Sequence, residues 1–377
     1  MASPQSLQTP GRPVETLFQG LGGRTLALAL AAICVFVAVP VAAEPLSPVQ
    51  LGEAPIFERP SAIGDITYTP GRGLRVGNTG LTIGGFANLA VGWPEGEPWE
   101  LEFDSFSLLA AYDPLPRLHY FFELNYKDAF EVNDRGDAGS PDDSLTVERL
   151  YADVAFSDHL NVRTGIFLTP VGRWNVIHAP PLQWTTEQPV VTELPFDPNL
   201  SGVMVFGSFF PEGGLVTYSV YDQFADPIEG DPEFEPADHS VGARLEYDDD
   251  AGWSVGASYL AARRDNDWRH LGGLDLLWNL GPVELMGEFA IEDGQGDASQ
   301  WGVYLQSAYQ LTNRTYLVGR FEHYDFQDPE EPEVNTITLG LGFRPIPAVV
   351  LKAEYLIADR RSEEAEAGFH ASIATLF

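Results

Sequence analysis

The chain has 377 residues, of which 44% are hydrophobic and 12% aromatic, and it carries a formal net charge of −34 at pH 7. Nucleic-acid binding requires a basic surface, so this charge argues against nucleic acid as a partner. The hydrophobic and aromatic content is too high for an acidic, intrinsically disordered chain.

The first element in the chain is an apolar run over residues 26–39. Arg24 precedes it, and the small residues of 40–43 (PVAA) lead into a polar segment. A basic flank, an apolar run and a small-residue exit predict a secretory signal peptide over residues 1–43, cleaved after Ala43. A single transmembrane helix is the alternative, because the run and its tail approach the ~20 residues that span a bilayer.

The cysteine and the charges of the mature chain follow from this cleavage. Cys34 is the only cysteine and lies in the removed segment, where the bulky Ile33 before it disfavours lipid attachment. The mature chain therefore has no disulfide. Loss of Arg12, Arg24 and Glu15 leaves 19 of the 21 basic and 54 of the 55 acidic side chains.

Residues 44–80 contain proline and glycine without a clear period. We expect an N-terminal periplasmic segment here, either a tail or a short plug. From residue 81 onward, apolar and polar side chains alternate, as in 301–309 (WGVYLQSAY) and 283–291 (VELMGEFAI). This period of two predicts strands with one apolar and one polar face.

The alternation predicts an all-β transmembrane barrel over 81–377, an antiparallel up-and-down barrel of about sixteen strands. The predicted strands are 81–93, 99–112, 116–128, 144–156, 160–169, 200–210, 214–224, 239–247, 253–263, 268–280, 283–292, 299–311, 314–324, 334–344, 348–358 and 366–377. The pattern is weak at 99–112 and 144–156, which leaves fourteen or eighteen strands as alternatives. The four-strand repeat of a soluble propeller is not visible.

The connections alternate in length along the chain. Short ones include 113–117, 157–159, 211–213 and 281–282, whereas 129–143, 170–199, 225–238 and 325–333 are long. Short turns at one end and long loops at the other are typical of outer-membrane barrels, with the turns in the periplasm. The segments 225–238 and 325–333 hold six and five carboxylates, which we interpret as solvated loops in preference to a specific cation site.

Aromatic residues at strand ends add to this interpretation. Trp268 and Trp301 fall at loop ends, and Trp253, Trp278 and Tyr316 fall near turn ends, as two interfacial girdles require. The chain ends in an alternating strand with Phe377 as its last residue. Such an ending resembles the signal by which the barrel assembly machinery recognises its substrates.

Four segments carry a resemblance to a family. Residues 71–76 (GRGLRV), 81–86 (LTIGGF), 150–153 (LYAD) and 162–172 (VRTGIFLTPVG) are similar to the phosphate-selective porins O and P and to general porins of the outer membrane. The resemblance implies a sixteen-stranded barrel, a homotrimer and diffusion of small anions. Phosphate-selective members guide anions with many lumenal lysines, whereas this chain has only Lys127 and Lys352.

Assigning the apolar face to lipid leaves the polar face for the lumen. We expect the following to line the lumen wall: Lys127, Arg149, Arg163, Arg244, Arg320 and Lys352, with Glu123, Asp153, Glu246, Asp275, Glu284, Glu288, Glu292, Glu322 and Glu354. Pairing of these charges across strands is the alternative to a role in selectivity.

The longest connection, 170–199, is the third outer loop counted from the first hairpin. By its position, the general-porin resemblance implies that it folds into the lumen and narrows it; an external lid or a trimer latch is the alternative. Opposed charges select ions at a narrow point. The expected constriction comprises Arg173, His178, Glu187, Glu193 and Asp197 of the loop, facing Arg149, Arg163 and Arg320 of the wall.

These features predict an outer-membrane porin for passive diffusion of small hydrophilic solutes or ions. Acidic loops concentrate cations at the mouth, so we expect a slight cation preference. The alternatives are an anion or phosphate channel and a non-conducting structural or adhesive barrel. We expect no enzymatic activity, cofactor or metal, because His178 is the only histidine near plausible chemistry, and a lone loop histidine is usually a polar contact.

Overall fold

The computed structural model describes residues 61–63, 65–136, 138–139, 144–193, 195–225, 237–264, 267–294, 299–326, 333–359 and 365–377. The predicted signal peptide and residues 44–60 lie outside this part of the chain. No helix in the described segments has the length and apolar character needed to cross a membrane.

One antiparallel sheet contains all the described strands. Three short strands precede the barrel: β1 (Ser61–Ile63), β2 (Ile66–Thr69) and β3 (Gly73–Val76). Two more lie in a loop: β7 (Glu131–Asn133) and β8 (Ala138–Gly139). Sixteen strands form the barrel: β4 (Leu81–Pro94), β5 (Glu100–Leu115), β6 (Leu118–Lys127), β9 (Ser144–Ser157), β10 (Leu160–Leu168), β11 (Asn199–Phe209), β12 (Gly214–Ala225), β13 (His239–Asp249), β14 (Trp253–Arg264), β15 (Asp267–Leu280), β16 (Val283–Gly294), β17 (Gln300–Gln310), β18 (Thr315–Asp325), β19 (Val334–Ile346), β20 (Val349–Ala358) and β21 (Gly368–Leu376).

Each barrel strand pairs with the next one, and the last pairs with the first. β21 and β4 are joined from the pair Gly368 and Pro94 to the pair Leu376 and Phe86, which closes the barrel without an edge. The predicted fold of sixteen strands is confirmed, and the alternatives of fourteen and eighteen are wrong. Every predicted strand end lies within three residues of the observed one.

Bulges explain why β5 and β9, predicted at 99–112 and 144–156, alternate weakly in sequence. Between β6 and β9, Glu123 lies opposite Arg149 while Leu124 lies opposite Val147. Glu148 is therefore an extra residue in β9. In the same way β5 holds an extra residue between Glu102 and Ser105, opposite Asn88 to Ala90 of β4. Because a bulge inserts one residue, it interrupts the period of two at that point.

The two faces of the barrel are inverted relative to a soluble protein. Leu274, Leu245 and Ile357 on the outer face are 59%, 56% and 49% exposed, whereas Glu322 and Arg320 on the inner face are 1% and 2% exposed. An apolar outer wall around a polar interior is the arrangement that a lipid bilayer requires.

The seam between β21 and β4 is filled by the C-terminal residue. The backbone of Phe377 makes two hydrogen bonds with Gly85, of 3.0 and 2.9 Å. A Cβ on Gly85 would overlap the Phe377 ring, so only glycine leaves room for it. The ring also stacks on Phe106, with 5.6 Å between centroids.

The described part of the N-terminal segment continues this sheet. β3 pairs with residues 81–83 of β4, on the edge that β21 occupies from residue 86 onward. β2 and β1 follow in a meander. The turn at Gly71 lies against Ala348 in the last short turn, so the meander lies at the turn end of the barrel.

Most aromatic side chains at strand ends lie as predicted. Trp253 and Trp278 are direct cross-strand neighbours at the turn end, and Trp278 is exposed on the outer face. The prediction for Tyr316 is wrong, because its ring lies 4.6 Å from that of Trp184, a residue of the long loop in the lumen. Tyr316 has the same parity as Arg320 and therefore shares its inward face.

Candidate functional site

The connection between β10 and β11, residues 169–198, lies inside the barrel. It contains one helical turn, α1 (Trp174–Ile177), and two 3-10 turns at Pro180–Leu182 and Val190–Thr192. Its side chains and backbone are hydrogen-bonded to inward-facing residues of β6, β13, β14, β16, β18, β20 and β21. The loop is therefore attached around much of the inner wall.

The first arm of the loop is positioned by Gly172. Its φ is +63°, and a Cβ there would overlap the Glu288 carboxylate. This close approach lets the backbone amide of Trp174 donate a 2.7 Å hydrogen bond to Glu288. Tyr304 donates to the same carboxylate oxygen at 2.8 Å. Glycine thus permits both the turn and the docking of α1 on β16.

Arg173, next to this turn, reaches β13 and β14. Its Nη2 lies 2.5 Å from both Glu246 and Ser254 and 3.4 Å from Asp275. Arg244 completes the group, since it donates to Asp275 at 2.5 and 3.0 Å. Two arginines and two carboxylates thus form a balanced cluster in which each charge has a partner.

The tip of the loop is attached to β18 and β20. Glu354 accepts hydrogen bonds from the backbone amides of Thr186 at 2.9 Å and Glu187 at 3.0 Å. Arg320 donates to Thr185 Oγ1 and to the Glu187 carbonyl at 2.9 and 2.8 Å. Lys352 donates to the Thr185 carbonyl at 2.6 Å. These wall charges therefore bind loop backbone in addition to facing one another.

A third wall carboxylate contacts the loop. Glu284 accepts a 2.6 Å hydrogen bond from the indole of Trp184. Together with Glu288 and Glu354, three predicted lumenal glutamates thus hold the loop. Because a carboxylate only accepts, it suits the unpaired amides of an irregular segment.

Apolar contacts hold the two arms of the loop as well. Val171 and Phe196 pack with inward-facing Phe167, Leu200 and Leu260. A second cluster joins loop residues Trp174, Val190 and Val191 to wall residues Met286 and Tyr304. Inward-facing apolar residues are unusual in a polar lumen, and here they meet apolar loop residues.

Arginines on neighbouring strands form a strip on the opposite part of the wall. Arg149 is hydrogen-bonded to Glu123, and Arg163 binds Asp153 through two bonds of 2.8 and 2.9 Å. The Arg163 guanidinium also lies 3.7 Å from the Tyr151 ring centroid. Bidentate pairing and stacking fix the orientation of this side chain.

The expected constriction residues all lie in the lumen, but the loop acids have partners other than the expected Arg149, Arg163 and Arg320. Asp197 pairs with Arg264 at 3.0 Å. The Glu187 carboxylate pairs with His370 at 3.1 Å, and Glu193 accepts from Gln188. The remaining loop residue, His178, lies 3.3 Å from Glu123.

Several wall residues were missed by sequence reasoning. Glu148 lies 4.0 Å from Lys127 and is turned inward by the β9 bulge. Arg264 and Arg269 bind Asp197 and Glu292, at 3.0 and 3.9 Å. The alternation of β14 and β15 could have placed both arginines inside, whereas nothing in the sequence marks the bulge.

Burial raises the pKa of Glu193 to about 7. The charges of Glu187 and Glu322 add to this increase, and the hydrogen bond from Gln188 opposes it. The pKa of Glu187 is lower than usual: burial alone would raise it, but the hydrogen bond and charge of His370 outweigh burial. The loop thus carries one carboxylate that titrates near neutral pH and one that stays ionised.

Comparisons with known proteins support the fold. No known protein-family profile matches the chain. An uncharacterized protein of Aquifex aeolicus (strain VF5) is 24% identical over 359 residues, covering 79% of this chain and 80% of that protein.

Three solved outer-membrane proteins are similar in structure. Salmonella typhi OmpF, in complex with daunomycin, has a TM-score of 0.59 at 12% identity and covers 80% of this chain and 98% of its own. The anion-selective porin of Comamonas acidovorans has a TM-score of 0.53 at 15% identity, over 79% and 99%. The outer-membrane channel DcaP of Acinetobacter baumannii has a TM-score of 0.53 at 10% identity, over 79% and 96%.

These structures confirm the resemblance to general porins at the level of fold, and they do not confirm the resemblance to phosphate-selective porins. The sixteen-stranded barrel and its apolar outer wall agree with the membrane in which these proteins reside. The chain therefore has the fold of outer-membrane porins.

Proposed function

We propose that this chain is a porin for passive diffusion of small hydrophilic solutes or ions across the outer membrane. The observation that carries the proposal is the attachment of loop 169–198 to the inner wall of a sixteen-stranded barrel. A barrel of this size encloses an aqueous channel, and a loop attached inside it would narrow that channel.

In this proposal the constriction is formed by Arg173, His178, Glu187, Glu193 and Asp197 of the loop with Arg149, Arg163 and Arg320 of the wall. The lumen wall around them is formed by Lys127, Arg244, Glu246, Glu288, Glu322, Lys352 and Glu354. Many of these charges are paired, so the net field in the lumen is weak. We therefore propose little ion selectivity, with a slight cation preference contributed by the acidic external loops.

We also propose a route by which the protein reaches the outer membrane. Residues 1–43 would direct export and be cleaved, and the final strand with Phe377 would be read by the barrel assembly machinery. The functional unit would be a homotrimer, which agrees with the trimer form described for OmpT of Vibrio cholerae. The proposal assigns no catalysis and no cofactor.

A non-conducting barrel is the second candidate. The two apolar clusters between loop and wall favour it, because they fill part of the lumen with packed side chains. An anion channel is the third, since the similar Comamonas porin is anion-selective. Current recordings from purified protein in a planar bilayer distinguish the three. Stepwise currents with a slight cation preference support the porin, and the absence of current from folded protein supports the non-conducting barrel. A strong anion preference supports the anion channel.

A further inference from the structure

A cavity of about 350 Å³ lies between α1 and the inner wall formed by β9 to β13. Ser208 and Thr217 in its lining flank the short turn 210–213, so it lies at the turn end of the lumen. The short turns of such barrels face the periplasm. The cavity is therefore a periplasmic vestibule beneath the loop.

The charged lining of this vestibule is asymmetric. Four arginines, Arg149, Arg163, Arg173 and Arg244, line it, whereas Glu246 is the one carboxylate among the described lining residues. Two of the paired acids are buried behind their arginines: Glu123 and Asp275 are 0% and 1% exposed, against 20% for Arg149 and 9% for Arg244. Asp153 and Glu246 are 15% and 19% exposed beside Arg163 and Arg173, which are 21% and 13% exposed. The vestibule lining therefore has more guanidinium groups than carboxylates, and each arginine has an acidic partner nearby.

These guanidinium groups are held in place. Arg163 stacks on Tyr151 and lies 5.3 Å from the Phe206 ring centroid, and Arg149 lies 4.6 Å above the Phe121 ring. Arg173 Nε is buried, and no described residue accepts a hydrogen bond from it. Orientation by stacking reduces the entropy lost when such a group binds an anion.

The facing side of the vestibule is apolar. Val176 and Ile177 of α1 line it and are 47% and 36% exposed, together with Leu168 and Pro170 at the start of the loop. Exposed aliphatic side chains opposite arginines match a ligand that has an apolar body and an anionic group. A volume of this size fits one small organic molecule.

We propose that the vestibule binds small organic anions with an apolar body, of the class of aromatic and short aliphatic monocarboxylates. The carboxylate contacts the arginine strip, and the hydrocarbon part contacts Val176 and Ile177. This inference rests on the proposed porin function for access of the solute. Inorganic phosphate and chloride bind more weakly because they have no apolar surface to bury.

Calorimetry on the folded, detergent-solubilised protein tests the proposal without relying on conduction. Three ligands are titrated separately into the protein. Benzoate is compared with benzyl alcohol, which has the same ring without the charge, and with inorganic phosphate, which has charge without the ring. We expect benzoate to bind most tightly of the three. Equal affinity of benzoate and benzyl alcohol, or of benzoate and phosphate, would overturn the proposal.

Two variants locate the binding site. Arg163→Gln removes one guanidinium and is expected to weaken benzoate binding about tenfold. Val176→Ser changes an exposed loop residue and is expected to weaken it about fivefold. Arg263→Gln is the matched control, because Arg263 lies at the outer face beside Trp268. Unchanged affinity in folded forms of both vestibule variants would contradict the assignment.

Bilayer currents separate this inference from the function on which it rests. Stepwise currents without benzoate binding would leave the porin function intact and refute the vestibule site. Benzoate binding that both variants weaken, in a protein that never conducts, would refute the porin function and keep the site.

Discussion

Glu354 on β20 accepts a hydrogen bond from the backbone amide of Glu187, with 3.0 Å between nitrogen and oxygen across 167 residues of sequence. Its other carboxylate oxygen accepts from the Thr186 amide at 2.9 Å. β20 lies seven strands around the barrel from β13, where Arg173 binds. The loop is thus attached at two nearly opposite parts of the wall, and its attachment should control current through the lumen.

Replacement of Glu354 tests the attachment of the loop tip. Glu354→Ala removes two hydrogen bonds to a charged acceptor, each worth about 1.5–3 kcal/mol. We expect a larger and noisier single-channel current, because the tip then moves away from the wall. Glu354→Gln keeps an acceptor oxygen and should change the current less. Identical current and noise in all three proteins would show that this carboxylate does not restrain the loop.

A disulfide tests the position of the tip directly. The hydroxyl oxygens of Thr186 and Ser372 lie 3.0 Å apart, which is within reach of a disulfide. Cys34, in the predicted signal peptide, is the only native cysteine. We expect the pair Thr186→Cys and Ser372→Cys to cross-link on oxidation and to reduce the fluctuations of the single-channel current. The pair Thr186→Cys and Ser254→Cys, with the second cysteine beside Arg173, should stay reduced.

The pKa of Glu193 predicts a pH dependence. Its value of about 7 lies above the ordinary 4.5, so the folded loop gains stability from protonation. That stabilisation is complete below pH 4.5 and is lost as the pH rises through 7. Ionisation adds a negative charge to the lumen, so cation preference should increase between pH 6 and pH 8.

Reversal potentials in a salt gradient measure this change. Glu193→Gln should remove most of it. Glu187→Gln should lower cation preference by a similar amount at both pH values, because the pKa of Glu187 is lower than usual. A wild-type reversal potential that is constant from pH 6 to pH 8 would contradict the assignment to Glu193.

The seam residues predict an effect on assembly. Phe377→Ala removes the ring that fills the space over Gly85, and Gly85→Val places a side chain where that ring lies. Both should reduce the yield of heat-modifiable folded barrel seen by electrophoresis. Phe369→Ala is the control, since Phe369 lies on the same strand with 41% exposure on the outer face. An equal yield from all four proteins would remove any special role for the seam.

The sequence was sufficient to predict the strands and their faces, because alternation is a local property. Arg244 and Glu288 lie inside as their parity required. Tyr316 is four residues from Arg320 on β18, so the alternation of faces places it inside as well. Assigning it to a girdle from its position near a strand end was an error. The bulge at Glu148 changes parity within a strand, and no residue there signals it.

The partners in the lumen could not be predicted. Whether Arg173 meets Glu246 or a different carboxylate depends on the path of an irregular loop, which is fixed by packing of residues such as Val171 and Trp174 at distant strands. Gly172 was visible in the sequence, but its role depends on Glu288, 116 positions later. Local alternation therefore predicts which residues form the barrel wall, whereas the partners of the lumenal residues depend on tertiary contacts.

Single-channel recording of the wild-type protein and the Thr186→Cys, Ser372→Cys pair tests the central claim most directly. Stepwise currents whose fluctuations decrease on oxidation and return on reduction are predicted for a channel narrowed by loop 169–198. Folded, cross-linked protein that conducts in neither redox state, or currents that do not change with the cross-link, would contradict it.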